Sequence, residues 1–407
     1  ADRAKLTAMQ ILLISRCPPY PLHLGDRLIV YHLARELSGR GHEIDLLAFY
    51  DHDEDATDEA QTPYAPLFRH VELIREPSRT PQDYVSRLLL PATRFPRNAE
   101  SAWSSAMWRA IENRLAAQQY DAALVFGGIA VYEYVHALAG LPAIITPYES
   151  FSLYLKRLIA ARSSALIGQL QVRAQRRLAR VYESFMYTPY QRTVVVSAQD
   201  RDELLSIDPR LRVEVIPNGI DLDYFQMQTL EREPATLLFT GNYEYAPNVD
   251  AALLLARVVL PEVRLQMPEA KLWLVGNSPS QEMQALASDH IVVTGRVDDM
   301  RPYLARATLF VCPLRFGAGI KNKVLEALAM GCPVLASPLS VDGIDVHDGH
   351  ELALAAPDAF AERVVHLLHD PSARQAFATH GRTLVETQYG WVPVAEAYEA
   401  LFRKITT

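Results

Sequence analysis

The stretch 313–337 reads PLRFGAGIKNKVLEALAMGCPVLAS. It follows an apolar run, TLFVCP at 308–313, suited to a buried strand. Gly317, Ala318 and Gly319 then form a turn, and the spacing predicts a helix from near Ile320 to Gly331. A short apolar strand follows at 333–336. A glycine turn that opens a helix presents unpaired backbone N–H groups and the positive end of the helix dipole, both of which favour an anion such as phosphate. Gly317 and Gly319 permit positive φ and a close approach of ligand to backbone. Lys321 and Lys323 stand at the same end, where the dipole disfavours positive charge, so a bound anion would offset them. An ordinary strand–turn–helix with solvated lysines is the other reading of these residues alone.

Outward from this stretch, 407 residues exceed one ordinary core and predict two domains. A hydrophobic content of 49% with dispersed charge describes a globular chain, and a net charge of −8 argues against nucleic acid as the partner. Cys17, Cys312 and Cys332 are three in number, without CxxC spacing, which suggests a reducing compartment. No apolar run reaches the ~18 residues needed to span a bilayer, and residues 1–8 lack a signal-peptide core. A cytoplasmic protein is therefore expected.

Taken in order, QILLIS (10–15) is a buried parallel strand, and a Pro/Gly loop leads through Gly25, Asp26 and Arg27 into an amphipathic helix. HEIDLLAFY (42–50) closes a βαβ unit. The acidic run 51–59 contains Asp51, His52 and Asp53, which read as a solvated loop rather than a metal site. Further strands are expected at 70–74, 120–127, 141–146, 193–197 and 213–217. The alternation restarts after Asn218 and Gly219, with strands in ATLLFTGN, KLWLVGN and HIVVTG. Two doubly wound α/β halves follow, with ligands at the carboxyl ends of the strands in a central cleft.

Residues 151–182 hold seven Lys or Arg and no acidic residue. Arg173, Arg176, Arg177 and Arg180 share one helix face, with Leu166, Leu170, Leu178 and Val181 as an apolar counterpart. Either this is a solvated face or it docks anionic lipid headgroups or a phosphorylated acceptor. Trp103 and Trp108, near Arg94, Arg97 and Arg109, favour the same membrane-facing reading.

The motifs resemble those of retaining family-4 glycosyltransferases of the GT-B fold. The resemblance runs through RGHEIDLL (40–47), VIPNGIDLDYF (215–225), FTGNYEYAPNVDAA (239–252), VTGRVDDMRPYLARATLFVCPL (293–314) and the opening stretch, in that order. It implies two Rossmann-like domains, 1–218 on the acceptor side and 219–390 on the donor side. A C-terminal helix at about 391–407 would return to the first. It implies a nucleoside diphosphate sugar as co-substrate, UDP- or GDP-linked, and no metal or other cofactor. The acceptor would be a glycan, glycolipid or polysaccharide intermediate, at the inner face of the membrane.

Position by position, the resemblance places the ribose on Glu326 and the sugar and diphosphate on Gly317, Ala318, Gly319, Ile320, Lys321 and Lys323. The base falls near Arg296 and Val297. The turn Gly241–Asn242 and the loop at Gly25 complete the diphosphate site. Lys321 is the expected stabiliser of the leaving group. Glu149, after a strand end, either orients the acceptor or a sugar hydroxyl, or caps a helix. The first glutamate of the family's E-x7-E pair falls at Ala318, so the chain matches a subgroup with GxGIKxKxLEA. An Arg/Lys pair common in the first turn of the second domain is replaced by GNYEYAPN. A nucleotide-sugar epimerase or hydrolase and a non-catalytic binding protein are the rival readings, separated by slow release of nucleoside diphosphate from the donor.

Overall fold

The computed structural model describes residues 8–22, 25–51, 63–78, 80, 82–83, 95–161 and 166–407. The acidic run at 52–59 and Arg94 lie outside them. The chain forms two compact units. Unit 1 runs to Pro217 and takes in Trp391–Thr407; unit 2 is Asn218–Gly390.

Unit 1 is built on a seven-stranded sheet of β1 (Gln10–Ser15), β2 (Glu43–Tyr50), β3 (His70–Arg75), β4 (Ala122–Phe126), β5 (Ala143–Tyr148), β6 (Arg192–Val195) and β7 (Val213–Val215), in the order β3-β2-β1-β4-β5-β6-β7. Every pairing is parallel. Continuous apolar strands follow from burial on both faces. Leu12, Ile14, Leu47, Phe49 and Val125 face one core, and Ile11, Leu13, Leu46, Leu124 and Phe126 the other. The second core is closed by α1 (Gly25–Gly39) and by the last helix, Trp391–Thr406, through Ile29, Leu33, Leu37, Trp391, Tyr398 and Phe402. Glu399 secures this packing, accepting from Arg40 Nη2 at 2.8 Å and pairing with His42 Nε2 at 2.7 Å.

Unit 2 repeats the plan with β8 (Thr236–Thr240), β9 (Lys271–Val275), β10 (Ile291–Val293), β11 (Leu309–Cys312), β12 (Val334–Ala336) and β13 (Ala353–Leu354), ordered β10-β9-β8-β11-β12-β13 and parallel throughout. The strand order reverses between β8 and β11, so the loops after these two strands leave the sheet edge on opposite sides of an open crevice.

Two expectations on unit 1 are corrected. Trp103 and Trp108 are core residues, each 2% exposed, with indole N–H groups donated to Glu76 and Glu112. They present no surface to a membrane. The helix Leu166–Tyr187 buries Ala179, Tyr182, Phe185 and Met186, whereas Leu170 and Val181 are 63% and 59% exposed. Its apolar stripe is therefore one register away from the expected one, because the packing partner is the core against β4 and β5 and not a second amphipathic surface.

Candidate functional site

The loop after β11 is held by serines that follow β12. Ser340 Oγ accepts from Leu314 N at 3.2 Å and donates to Cys312 O at 2.6 Å, while Ser337 Oγ donates to Leu314 O at 2.7 Å. Arg315 adds a two-pronged pair with Asp250, at 2.8 and 2.5 Å. Fixed this way, the chain turns through Gly317 at φ 130° and Gly319 at φ 67°, values that favour glycine. Ala318 and Ile320 are buried beneath the turn.

The helix then runs Asn322–Ala329, two residues later than expected, because Lys321 is its extended N-cap residue with φ −100° and ψ 90°. Asn218 of the PNG segment donates to Asn322 Oδ1 at 3.0 Å and steadies this helix start. Lys321 is buried, and its ammonium donates back to Ala318 O at 2.5 Å and to Gly319 O. It closes the turn on itself rather than projecting from it.

Lys323 and Glu326 stand on the first turns of the helix, both half-buried. Lys323 Nζ donates to Asn248 Oδ1 at 2.5 Å and lies 4.5 Å from the centre of the Phe239 ring. Burial lowers its pKa to about 8, helped by repulsion from Lys321 and opposed by Cys312 and Glu326. Burial raises Glu326 to about 7, against the pull of Lys323.

Gly241 and Asn242 follow β8 and meet the same place. A Cβ at Gly241 would sit 2.8 Å from Asn248 Nδ2 and 2.9 Å from Lys323 Nζ. Gly276, after β9, packs so closely that a Cβ there would come within 1.8 Å of Gly241 O. Backbone, two lysines and a carboxylate thus converge at the crevice between β8 and β11, a place suited to a polyanion with attached hydroxyls. Arg296, exposed, and Val297 follow β10 at the same edge, two strands from β8. Asn248 was not among the expected residues; the signal for it was only its place one turn into the helix after GNYEYAP.

In unit 1, Gly25 is the first residue of α1, and Asp26 accepts from Arg27 N at 3.0 Å and pairs with Arg16 Nε at 3.3 Å. Glu149 follows a bulged end of β5, where Tyr148 holds φ 65°, a conformation that non-glycine residues adopt at a cost. The cap of the following helix is Ser150, which accepts from Leu153 N at 3.3 Å, so Glu149 is not the capping residue. Of the four arginines, Arg176 and Arg180 turn to Glu203 at 2.7 and 3.3 Å, joined there by Lys156 at 2.8 Å. Arg173 and Arg177 are exposed.

Two family models match the chain side by side. "Glycosyltransferase Family 4" matches residues 28–224, and "Glycosyl transferases group 1" matches residues 234–370. The chain is 28% identical over 204 residues to a phosphatidyl-myo-inositol mannosyltransferase of Mycobacterium leprae, covering 47% of this chain and 54% of that protein. It is 29% identical over 216 residues to a GDP-mannose-dependent monoacylated alpha-(1-6)-phosphatidylinositol monomannoside mannosyltransferase of Corynebacterium glutamicum, covering 45% and 54%. The chain thus spans about half the length of these curated relatives. Among solved structures, a sucrose-phosphate synthase of Thermosynechococcus elongatus superposes with a TM-score of 0.70 at 19% identity, over 97% of this chain and 98% of that one. The fold is GT-B, and the chain belongs to glycosyltransferase family 4.

Proposed function

We propose that this protein transfers a sugar from a UDP- or GDP-linked donor to a hydroxyl of a glycan, glycolipid or polysaccharide intermediate, with retention at the anomeric carbon and without a metal. The observation that carries the proposal is the convergence, at the β8/β11 crevice, of the Gly317–Lys321 turn, the two lysines and Glu326. Glu326 accepts the ribose hydroxyls as a carboxylate, and charge-assisted bonds of this kind are roughly twice as strong as neutral ones. The base lies toward Arg296 and Val297. The backbone of Gly319–Lys321 and a lysine ammonium at this helix start stabilise the diphosphate as charge develops on it; one such donor is worth about 2.7–4 kcal/mol in the transition state.

In the reaction, the bond from the anomeric carbon to the diphosphate breaks and the acceptor oxygen bonds on the same face. The acceptor's proton passes to a leaving phosphate oxygen. On unit 1, Glu149 orients the acceptor and the Gly25 loop assists the diphosphate. A lipid-linked acceptor accords with the two mannosyltransferases, whose names specify phosphatidylinositol substrates. It also accords with exposed Arg173 and Arg177 beside exposed Leu170, which suit peripheral contact at the cytoplasmic face of a membrane.

The test is a thermal-shift panel of UDP-, GDP- and dTDP-sugars in EDTA, followed by assay of nucleoside diphosphate release. A sugar nucleotide at 100 times its Kd adds about 2.7 kcal/mol of stability. The expected result is a shift with one base, and slow nucleoside diphosphate release that acceptor accelerates. Stabilisation without any release would point to a binding protein. Sugar interconversion with no release would point to an epimerase.

A further inference from the structure

We infer that Lys323, rather than Lys321, presents positive charge to the leaving diphosphate, and that Asn248 is the residue that positions it; this rests on the donor-binding reading of unit 2. The two lysines look equivalent in sequence but differ in how their protons are used. Lys321 spends N–H groups on Ala318 O and Gly319 O, within its own turn. Lys323, among the described residues, has one hydrogen-bond acceptor, Asn248 Oδ1, and rests one side of its ammonium on the Phe239 ring. The ammonium stands beside the Gly241 turn, where the lack of a side chain leaves room for it: a Cβ there would stand 2.9 Å from Nζ.

The orientation of Asn248 is determined by its partners. Its Nδ2 donates to Asn242 O at 2.7 Å, a carbonyl that only accepts, and its Oδ1 accepts from Lys323, an ammonium that only donates. The carboxamide therefore ties the turn after β8 to the helix after β11 and holds the ammonium between them. The positive charge that a residue in the first turn of unit 2 would otherwise supply arrives from the neighbouring helix.

Lys323 meets Phe239 and Gly241 from β8 and its turn, Asn248 from the helix 246–254, Cys312 from β11, and Lys321 and Glu326 from its own loop and helix. Cys312, Lys321 and Glu326 are the members of this set that titrate. Desolvation favours the neutral amine, so Lys323 should react as a nucleophile at a pH where surface lysines are still charged.

The test is competitive acetylation of the whole protein across pH, read at Lys323 by mass spectrometry, with inorganic pyrophosphate as the probe. The wild-type inflection is expected near about 8. Pyrophosphate should slow labelling of Lys323 by roughly fivefold or more. Asn248→Asp should raise the inflection by roughly one unit, because a carboxylate favours the ammonium; Asn248→Ala, which removes an acceptor of the charged form, should lower it. Lys323→Met should weaken pyrophosphate binding by roughly tenfold or more, and by more than Lys321→Met.

The inference is overturned if pyrophosphate leaves Lys323 labelling unchanged, if neither Asn248 variant moves the inflection, or if Lys321→Met costs as much binding as Lys323→Met. Protection of Lys323 in a protein that turns over no sugar nucleotide would overturn the transferase reading and leave this assignment standing. Normal turnover with Lys323 unprotected would overturn this assignment alone.

Discussion

Glu183 lies buried in unit 1 with its carboxyl on the turn that follows β5. It accepts from Ser150 Oγ at 3.1 Å and Ser152 N at 3.4 Å, and Ser150 N donates in turn to Asp200 at 2.8 Å. Burial nevertheless pushes its pKa from 4.5 up to about 7, with the serine contacts pulling the other way. A carboxyl that holds its proton more tightly when folded contributes stability that is full below its unfolded pKa and is lost as pH rises through about 7. Glu183→Gln should remove this slope, so the variant gains on the wild type by roughly 1–3 kcal/mol between about pH 5 and pH 8. Denaturant titrations at the two pH values check it; a wild-type slope in the variant would contradict the assignment. Single residues of this kind were poorly legible in the sequence. Glu183, Asn248 and the inward turn of Lys321 owe their roles to partners far along the chain or to one backbone rotation. Lys323 and Glu326 were legible because a helix repeat places them on one turn, whatever surrounds it.

Helices were legible in proportion to how completely their faces follow the helical repeat. The arginines of Leu166–Tyr187 do share one side, but the buried stripe is Ala179, Tyr182, Phe185 and Met186. These lie among polar residues, where tertiary packing decides what is inside. Arg176 and Arg180 converge on buried Glu203, whose pKa is lowered by Lys156 and Arg176 against the effect of burial. Arg173 and Arg177 are exposed on the same helix. The double variant Arg173→Glu/Arg177→Glu should weaken binding to vesicles containing anionic phospholipid by roughly thirtyfold or more, since each basic residue near such a surface is worth about 1 kcal/mol. Melting should change little, because neither residue is buried. Co-sedimentation of wild type and variant equally, or of neither, would remove the membrane reading of this helix.

The parallel sheets were the most legible feature of the molecule. Strands buried on both faces must be continuously apolar, and QILLIS, AALVF and TLLFT have no other comfortable place. Alternation implied ligands at the carboxyl ends of the strands, whereas the crevice between β8 and β11 comes from the strand order, which reverses there. The return of a helix at about 391–407 to unit 1 was expected from the family resemblance, and the structure shows which side chains finish that core. Unit 1 depends on Trp391–Thr406, which covers α1 with Trp391, Val394, Ala395, Tyr398, Leu401 and Phe402, all buried. Ending the chain at Gly390 should strip this cover and leave unit 1 unable to fold, because burying one such aromatic or aliphatic side chain is worth about 1.5–3 kcal/mol. Limited proteolysis should then degrade residues before 218 while a fragment of unit 2 survives. A truncated chain that resists protease along its whole length would contradict this.

The route of the chain through that helix bears on the order in which the protein is made. Unit 2 is an insertion: the chain enters it at Asn218 and leaves at Gly390, and these two ends are joined by Ile220 N donating to Tyr389 O at 2.7 Å and by a parallel bridge from Ile220 to Gly390. On the ribosome, unit 2 therefore has all its residues while unit 1, begun first, still lacks the helix that seals it. Of the two units, the one begun first is the last to mature, and it waits with the apolar side of α1 uncovered. A chaperone that recognises exposed aliphatic helix faces should engage the nascent chain between the synthesis of residue 217 and that of residue 391, and release it as the closing helix emerges.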